Sequence, residues 1–259
     1  MKPKRLFAVG WAIATLTLVS ASYARSETEY EKLFAAPLAE GEVAYMCLLY
    51  SGVIVRTSTG TVIIDPADVL FDDDIAALAK HRIDALLYTH VHGDHYDAAT
   101  ARNLVQKTGT TVVADREVAK MIRASGSIPA DKLIVATPGK NLKVGPAEIR
   151  GITGRHVGPI TLYYIRLGSV SIFHGGDSAY VPAADYPSRL AFLPAGSPSP
   201  TASPADALKM ARDVKPRTVV LIHGQDGEYA AFKKLAAKEL PGVAVEVGEP
   251  FKARVARLN

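Results

Sequence analysis

The stretch Thr89-His90-Val91-His92-Gly93-Asp94-His95 decides how the rest of the chain is interpreted. It follows the apolar run Ile83 to Tyr88, which predicts a buried strand. Three histidines and an aspartate fall within six residues, although the whole chain has only seven histidines. The alternative is a solvated loop that happens to be rich in histidine, but so dense a cluster favours a metal site.

The spacing within this stretch predicts two points of metal contact. His90 and His92 are two residues apart at the end of a strand, so they project to the same side, as binding of one ion requires. Asp94 and His95 follow where Gly93 permits the chain to turn, and they face a second point nearby.

Composition limits what else the chain can be. Its 259 residues are 48% hydrophobic and 22% charged, which is typical of a globular protein and excludes a disordered chain, a collagen and a coiled coil. The single cysteine, Cys47, cannot form an internal disulfide or a thiolate zinc site, which needs two to four cysteines. A bound metal must therefore be held by histidines and carboxylates.

The N-terminus has the order of a secretory signal peptide. Three basic residues precede the apolar run Leu6 to Ser20, and the small-residue stretch Ser22-Tyr23-Ala24 follows. The run is short of the roughly 20 residues that span a bilayer, which disfavours the alternative of an uncleaved membrane anchor. We expect cleavage after Ala24 and a periplasmic or secreted mature protein, in which Cys47 should be buried.

Removal of residues 1–24 also changes the charge. The full chain has 30 basic and 26 acidic residues and a net charge of +4. Without Lys2, Lys4 and Arg5, the remaining 235 residues have 27 basic side chains and a net charge of +1. No basic patch interleaved with aromatic residues stands out. The predicted partner is a small-molecule substrate, with no nucleic acid and no stable membrane anchor, and the oligomeric state stays open.

The mature chain, residues 25–259, is predicted to be one α/β domain, because strands and helices alternate and no linker or repeat interrupts them. A polar lead-in reaches about Glu42, and Pro194 to Pro204 is a loop. Strands are predicted within Val43–Arg56, Thr61–Asp65, Ile83–Tyr88, Thr111–Ala114, Lys140–Val144, Ala147–Ile152, Ile160–Leu167, Val170–Phe173 and Thr218–Ile222. Helices are predicted at Asp72–Lys80, Asp97–Lys107, Arg116–Arg123, Ser203–Val214 and Glu228–Leu240.

The histidine motif and four further pieces, in chain order, resemble the metallo-β-lactamase superfamily. The motif is similar to the family's HxHxDH signature, and the resemblance extends over residues 43–255. It implies a four-layer αβ/βα sandwich of two mixed β-sheets with a metal centre at one edge. The further pieces are Val62-Ile63-Ile64-Asp65-Pro66, the lone His156, Phe173-His174-Gly175-Gly176-Asp177 and Val219-Val220-Leu221-Ile222-His223-Gly224.

The resemblance also implies the ligands of two divalent metal ions, most simply zinc, with manganese and iron as alternatives. One ion takes His90, His92 and His156; the other takes Asp94, His95 and His223, with Asp177 between them. A hydroxide bridging the two ions is the implied nucleophile.

We predict a role for each of four residues near this centre, and for three of them a second role stays open. Asp94 and Asp65 are the predicted catalytic carboxylates: Asp94 for proton transfer, Asp65 for orienting a ligand histidine. Asp65 is alternatively a simple turn residue before Pro66. His174 either supports the ligands or is unrelated to them, and Arg155 meets an anionic substrate group or is only solvated.

Two departures of this sequence from the motifs of related proteins narrow the range of predicted functions. Redox-active di-iron members have Glu where this chain has His92, and true β-lactamases have Cys or Ser at the position of Asp177. The segment from Leu190 to the helix at Ser203 resembles the subgroup of ascorbate-6-phosphate lactonase and phospholipase-D-type phosphodiesterases. The prediction is a metal-dependent hydrolase of a small ester, lactone, amide or phosphodiester. A catalytically inactive metal-binding periplasmic protein and a true β-lactamase are the alternatives.

Overall fold

Two seven-stranded mixed sheets pack face to face, with helices on their outer faces. The computed structural model describes residues 29–35 and 37–258, and the predicted signal peptide lies outside them. The strands are β1 (Glu42–Cys47), β2 (Val53–Arg56), β3 (Thr61–Ile64), β4 (Ala85–Tyr88), β5 (Thr111–Ala114), β6 (Leu133–Val135), β7 (Asn141–Val144), β8 (Ala147–Thr153), β9 (Thr161–Leu167), β10 (Val170–His174), β11 (Leu190–Pro194), β12 (Thr218–Ile222), β13 (Ala244–Val247) and β14 (Lys252–Arg257).

The first sheet has the order β14-β1-β2-β3-β4-β5-β6, and the second β13-β12-β11-β10-β9-β8-β7. Each sheet is parallel on one side, β3 to β6 and β10 to β13, and antiparallel on the other. The helices are α1 (29–35), α2 (Asp72–Leu78), α3 (Ala98–Thr108), α4 (Arg116–Ser125), α5 (Pro204–Val214) and α6 (Asp226–Glu239).

Three apolar layers hold this arrangement together. In β4, Leu86 packs under the helices of the first sheet, whereas the next residue, Leu87, packs between the two sheets. A third layer, which includes Phe232 of α6, joins the second sheet to its helices. A strand buried on both faces has no polar side, which explains why β4 reads as a continuous apolar run. The predicted four-layer sandwich is confirmed by this packing.

Two predicted segments differ from the structure. The stretch Val43 to Arg56 is two strands, β1 and β2, separated by a turn at residues 48–52. The polar lead-in contains helix α1, in which Tyr30 and Leu33 are buried against the first sheet's outer layer. Cys47 is buried as expected, and burial raises the pKa of its thiol to about 12.

The fold brings several strand ends to one edge of the sandwich. Asp65 follows β3, the histidine motif follows β4, Asp177 follows β10 and His223 follows β12. Each of these strands is parallel to at least one neighbour, and the carboxyl ends of parallel strands are where α/β folds place their functional loops. In the described part of the chain, no helix is both long and apolar enough to cross a membrane.

Candidate metal centre

The seven predicted ligands meet at this edge in two adjacent groups. We call His90, His92 and His156 the three-histidine group, and Asp94, His95, Asp177 and His223 the mixed group. Within each group, one side-chain nitrogen or oxygen per residue lies within 4.8 Å of all the others. The groups adjoin, because the ring centroids of His90 and His95 are 4.0 Å apart.

In the three-histidine group, ring nitrogens converge on one point. Nδ1 of His92 lies 3.0 Å from Nε2 of His90 and 3.2 Å from Nε2 of His156. Nitrogens bound to one tetrahedral zinc ion lie about 3.3 Å apart, since each is about 2.0 Å from the ion. The histidines meet although β4 already ends at Tyr88, so the loop rather than strand alternation brings them together.

Hydrogen bonds on the outer side of these rings fix which nitrogen faces inward with a lone pair. Thr89 donates its hydroxyl to Asp65 over 2.5 Å and therefore accepts from Nδ1 of His90. Thr201 donates to the carbonyl of Asp177 over 2.9 Å and accepts from Nδ1 of His156. Both Nε2 atoms are then unprotonated and face Nδ1 of His92 at hydrogen-bond distance. A proton on Nδ1 of His92 could satisfy only one of these two lone pairs fully, whereas a cation at the point of convergence would satisfy all three nitrogens.

The mixed group is built around the carboxylate of Asp177. Its Oδ1 lies 3.0 Å from Nε2 of His95, and its Oδ2 lies 3.0 Å from Nε2 of His223. Asp94 completes the group, with Oδ2 3.2 Å from Nε2 of His223. Two imidazoles and two carboxylates form a donor set that suits zinc, manganese or iron.

His95 shows most directly that this group fits a cation. Its Nδ1 is 2.8 Å from Oδ2 of Asp65, so the outer nitrogen carries the proton that this carboxylate accepts. Its Nε2 is fully buried and lies 3.0 Å from Oδ1 of Asp177, although the two atoms lack the geometry of a hydrogen bond. A buried polar atom without a well-formed hydrogen bond is costly, and a metal ion between these two atoms would satisfy both.

The two groups differ in their protonation without metal. Burial lowers the pKa of His90 to about 3, and burial also lowers the pKa of His156. Both imidazoles are therefore neutral at pH 7, the state in which histidine binds metals.

In the mixed group, carboxylates reverse the effect of burial. Burial disfavours a charged imidazole, but Asp65 and Asp177 raise the pKa of His95 to about 10. Asp177 and Asp94 likewise raise the pKa of His223 to about 9. The same contacts keep the pKa values of Asp94 and Asp177 below their ordinary range. Without metal, this group is a buried ion-pair cluster, and an ion must displace its protons.

Two residues of the centre adopt a left-handed backbone. Asp65 and His223, each directly after a strand, have φ values of 46°. Such a conformation costs a non-glycine residue about 1–3 kcal/mol and persists where the surroundings enforce it. The sharp turn it makes directs each side chain back into the sandwich edge.

The two predicted catalytic carboxylates lie in different places. The side chain of Asp94 is 27% exposed and borders both the mixed group and solvent. Asp65 is fully buried behind His95, where it also accepts from the backbone N–H of Thr89. Asp65 therefore contacts His95 from behind, the position that the predicted orienting role requires, and it has this contact in addition to its place in the turn before Pro66.

The remaining sequence candidates lie near the centre but outside both groups. His174 is buried with both ring nitrogens hydrogen-bonded to backbone, so it is not free to bind a metal. Arg155 is exposed on the loop beside His156. Sequence reasoning missed Ser51, Thr89 and Thr201, whose hydroxyls contact ligand side chains. Thr89 adjoins the motif, but isolated hydroxyl residues have no pattern that marks such a role.

Comparison with known proteins agrees with this geometry. A family model described as a beta-lactamase superfamily domain matches residues 61–224. A metal-dependent hydrolase of Thermus thermophilus is 31% identical over 229 residues, which cover 82% of this chain and 98% of the relative. A metal-dependent hydrolase of Thermococcus kodakarensis is 30% identical over 219 residues, covering 74% and 91%.

Solved structures share the fold at lower identity. The metallo hydrolase Igni18 of Ignicoccus hospitalis has a TM-score of 0.68 at 21% identity and covers 83% of this chain and 98% of its own. CmlA, a diiron beta-hydroxylase of Streptomyces venezuelae, has a TM-score of 0.63 at 17% identity and covers 86% and 55%. Likeness at this level shows the fold alone. The family model and the relatives, together with the two ligand groups, identify the chain as a member of the metallo-β-lactamase superfamily and a metal-dependent hydrolase.

Proposed function

We propose that this protein hydrolyses a small ester, lactone, amide or phosphodiester with the help of two divalent metal ions. The observation that supports it is the pair of adjacent ligand groups, seven side chains whose donor atoms converge at one edge of the sandwich. The three-histidine group would hold one ion and the mixed group the other, with Asp177 between them.

Two such ions would polarise the scissile bond and lower the pKa of a water molecule between them, so that hydroxide is available at neutral pH. Imidazole and carboxylate donors suit zinc best among common ions, and manganese or iron are alternatives. The chain's own contribution is to hold the donors in place. Thr89, Thr201 and Asp65 accept hydrogen bonds from the outer nitrogens of His90, His156 and His95, and these bonds fix the three imidazoles without a bound ion.

Asp94 is the residue we propose for proton transfer. Its contact with His223 keeps the pKa of its carboxyl below the ordinary value, so it is a carboxylate at neutral pH and can accept a proton. Asp177, which is only 2% exposed, has both oxygens facing histidines and cannot reach a substrate in the same way. The proposal therefore divides the two carboxylates of the mixed group into one that accepts protons and one that holds ligands.

We further propose a periplasmic or secreted enzyme acting on a small molecule. This rests on the signal-peptide pattern of residues 1–24 and on the near-neutral charge of the rest of the chain.

The test combines metal content with a substrate screen. The purified mature protein is reconstituted with zinc, manganese or ferrous ion, and bound metal is measured by elemental analysis. Aryl esters, lactones, amides and bis-p-nitrophenyl phosphate are then assayed with and without chelator. We expect two ions per chain and chelator-sensitive turnover of at least one class. Two bound ions without turnover of any class would contradict the proposal, as would turnover that survives complete metal removal.

A further inference from the structure

The turn between β1 and β2 reaches the metal centre through Ser51. This side chain is fully buried, and the shorter of its hydroxyl's two acceptor contacts is to Oδ1 of Asp177, at 3.0 Å, the other being to the carbonyl of Gly176 at 3.4 Å. The preceding residue, Tyr50, accepts a hydrogen bond from the backbone N–H of His223 over 3.2 Å. The turn thus contacts two members of the mixed group, although it contributes no ligand itself.

His174 holds this turn from the other side. Its Nε2 donates to the carbonyl of Ser51 over 2.9 Å, and its Nδ1 accepts from the backbone N–H of Gly176 over 3.2 Å. Because Nδ1 accepts, the proton must be on Nε2, so the ring has one fixed tautomer. A fully buried, neutral histidine with both nitrogens bonded to backbone fixes the Ser51 turn relative to the loop that carries Asp177.

The carboxylate of Asp177 needs such a restraint. Rotation about the bond between Cβ and Cγ of an aspartate is broad and roughly two-fold, so the torsion by itself does not select one orientation. In this structure the carboxylate plane is set so that each oxygen meets one histidine, His95 or His223. The hydroxyl of Ser51 contacts one of those oxygens and opposes rotation.

We propose that Ser51 and His174 are positioning residues for Asp177: His174 fixes the Ser51 turn, and the Ser51 hydroxyl fixes the carboxylate plane. The inference deepens the proposed function and rests on it for the role of Asp177 between the ions. It assigns a role to His174, which lies at this edge and belongs to neither ligand group. Ser51 acts through Asp177 and does not touch the substrate, because its hydroxyl is buried and directed at the carboxylate.

The first experiment removes the hydroxyl. Ser51→Ala should weaken binding of the mixed-group ion about 10- to 100-fold, the usual effect of losing a hydrogen bond behind a metal ligand. Zinc affinity is measured by competition with a chromophoric chelator, which needs no substrate. Ser188→Ala is the matched control, because Ser188 is also buried and its hydroxyl bonds the carbonyl of Tyr186, over 2.9 Å, and no member of the ligand groups. Its zinc affinity should equal that of the unaltered protein.

Kinetics separate positioning from a general loss of stability. With saturating zinc, Ser51→Ala should lower kcat while KM changes less than about twofold, because the substrate does not contact Ser51. A loss of thermal stability alone, shared with Ser188→Ala, would leave kcat of the folded fraction unchanged and would overturn the inference.

The second experiment distinguishes the two ends of the His174 ring. His174→Gln can present an amide N–H where Nε2 donates to Ser51, whereas the shorter side chain of His174→Asn cannot reach that carbonyl. Gln should therefore retain most of the zinc affinity, and Asn should resemble Ser51→Ala. Equal behaviour of the two folded variants would contradict the proposed contact.

The two proposals fail in different ways. If Ser51→Ala binds zinc normally and the unaltered protein is an active hydrolase, only the positioning role is wrong. If the unaltered protein binds two ions but turns over no substrate, the hydrolase proposal fails, whereas the zinc-affinity arm still tests Ser51 and His174.

Discussion

Nδ1 of His95 lies 2.8 Å from Oδ2 of Asp65, and both side chains are completely buried. The carboxylate also accepts from the backbone N–H and the hydroxyl of Thr89, over 2.8 and 2.5 Å. Three donors satisfy a charge that would otherwise be costly to bury. The same carboxylate bonds His95 of the mixed group directly and His90 of the three-histidine group through Thr89. One buried residue therefore contacts a member of each ligand group, either directly or through Thr89.

Replacing Asp65 should weaken both metal sites. In Asp65→Asn the amide keeps the shape but has one acceptor oxygen instead of two, so its NH2 group meets either the N–H of Thr89 or the donors of His95 and the Thr89 hydroxyl. We expect zinc affinity to fall about 10- to 100-fold, measured by chelator competition. Asp115→Asn is the control, because Asp115 is also buried but bonds Thr161 and the N–H of Glu117, away from the ligands. A normal zinc affinity in Asp65→Asn would show that orientation of His95 does not depend on it.

Loss of His92 should remove one ion and leave the other. His92→Ala deletes the nitrogen on which His90 and His156 converge, whereas no member of the mixed group is altered. We expect metal content to fall from two ions to one per chain and turnover to be abolished in a folded protein, as judged by circular dichroism. His81→Ala should keep both ions, since His81 stacks on Phe34, with ring centroids 3.8 Å apart, and belongs to neither group. Retained activity in His92→Ala would disprove the ligand assignment.

Thr201 should contribute to metal binding through its hydroxyl alone. Thr201→Val keeps the shape but removes the acceptor for Nδ1 of His156 and the donor to the Asp177 carbonyl. The three-histidine ion should dissociate about tenfold or more faster, because the His156 tautomer is no longer fixed. Thr201→Ser retains the hydroxyl and should restore slow dissociation, measured by metal transfer to a chelator. Similar rates for Val and Ser would exclude a role for the hydroxyl.

The stability of the metal-free protein should fall at alkaline pH. The folded-state pKa values of His95 and His223 are raised to about 10 and about 9, above the ordinary value of 6.5. Their ion pairs contribute fully below about pH 6.5, and the contribution is lost as pH rises through the folded-state values. Each kcal/mol lost lowers Tm by about 2–4 °C in a protein of this size.

Metal loading should remove this dependence of stability on pH. An ion binds neutral imidazoles, so the zinc-loaded protein has no protons on these nitrogens to lose between pH 7 and 10. Scanning calorimetry of chelator-treated and zinc-loaded samples at pH 7 and 9.5 tests the contrast. Equal Tm values for the metal-free protein at the two pH values would contradict the proposed ion pairs.

The N-terminal pattern gives a prediction of its own. Expressed with its native start in a bacterium that has a periplasm, the protein should be recovered from the periplasmic fraction with Arg25 as its first residue. Mass spectrometry and N-terminal sequencing measure this directly. A mature chain that still begins at Met1 and sediments with membranes would support the uncleaved anchor instead.

Sequence alone could predict most strands because apolar runs are short-range patterns, whereas the two sheets and the ligand set were implied by the resemblance to a family. Apolar runs define β3, β4 and β12, and polar residues at their ends identify the functional edge. The turn at residues 48–52 could not be predicted because Leu48, Leu49 and Tyr50 are as apolar as the strands on either side. Its course is set by tertiary contacts, such as the Ser51 bond to Asp177, which no local pattern contains.

The hydroxyls behind the ligands could not be predicted for the same reason. Thr201 is 45 residues from His156, and Ser51 is 126 residues from Asp177. Serine and threonine are common surface residues, and their partners are fixed only when loops of both sheets come together. Which nitrogen of His156 faces the other ligands follows from the Thr201 contact, so it could not be predicted from sequence either.

Each ligand group draws on both halves of the sandwich. His90, His92, Asp94 and His95 belong to the first sheet's loops, whereas His156, Asp177 and His223 belong to the second's. Neither sheet by itself carries a complete ligand set, so each bound ion would act as a cross-link between two halves of the chain. Metal uptake would then report that the sheets have docked in the correct register, and a chain folded in only one half would be recognisable by its failure to retain metal.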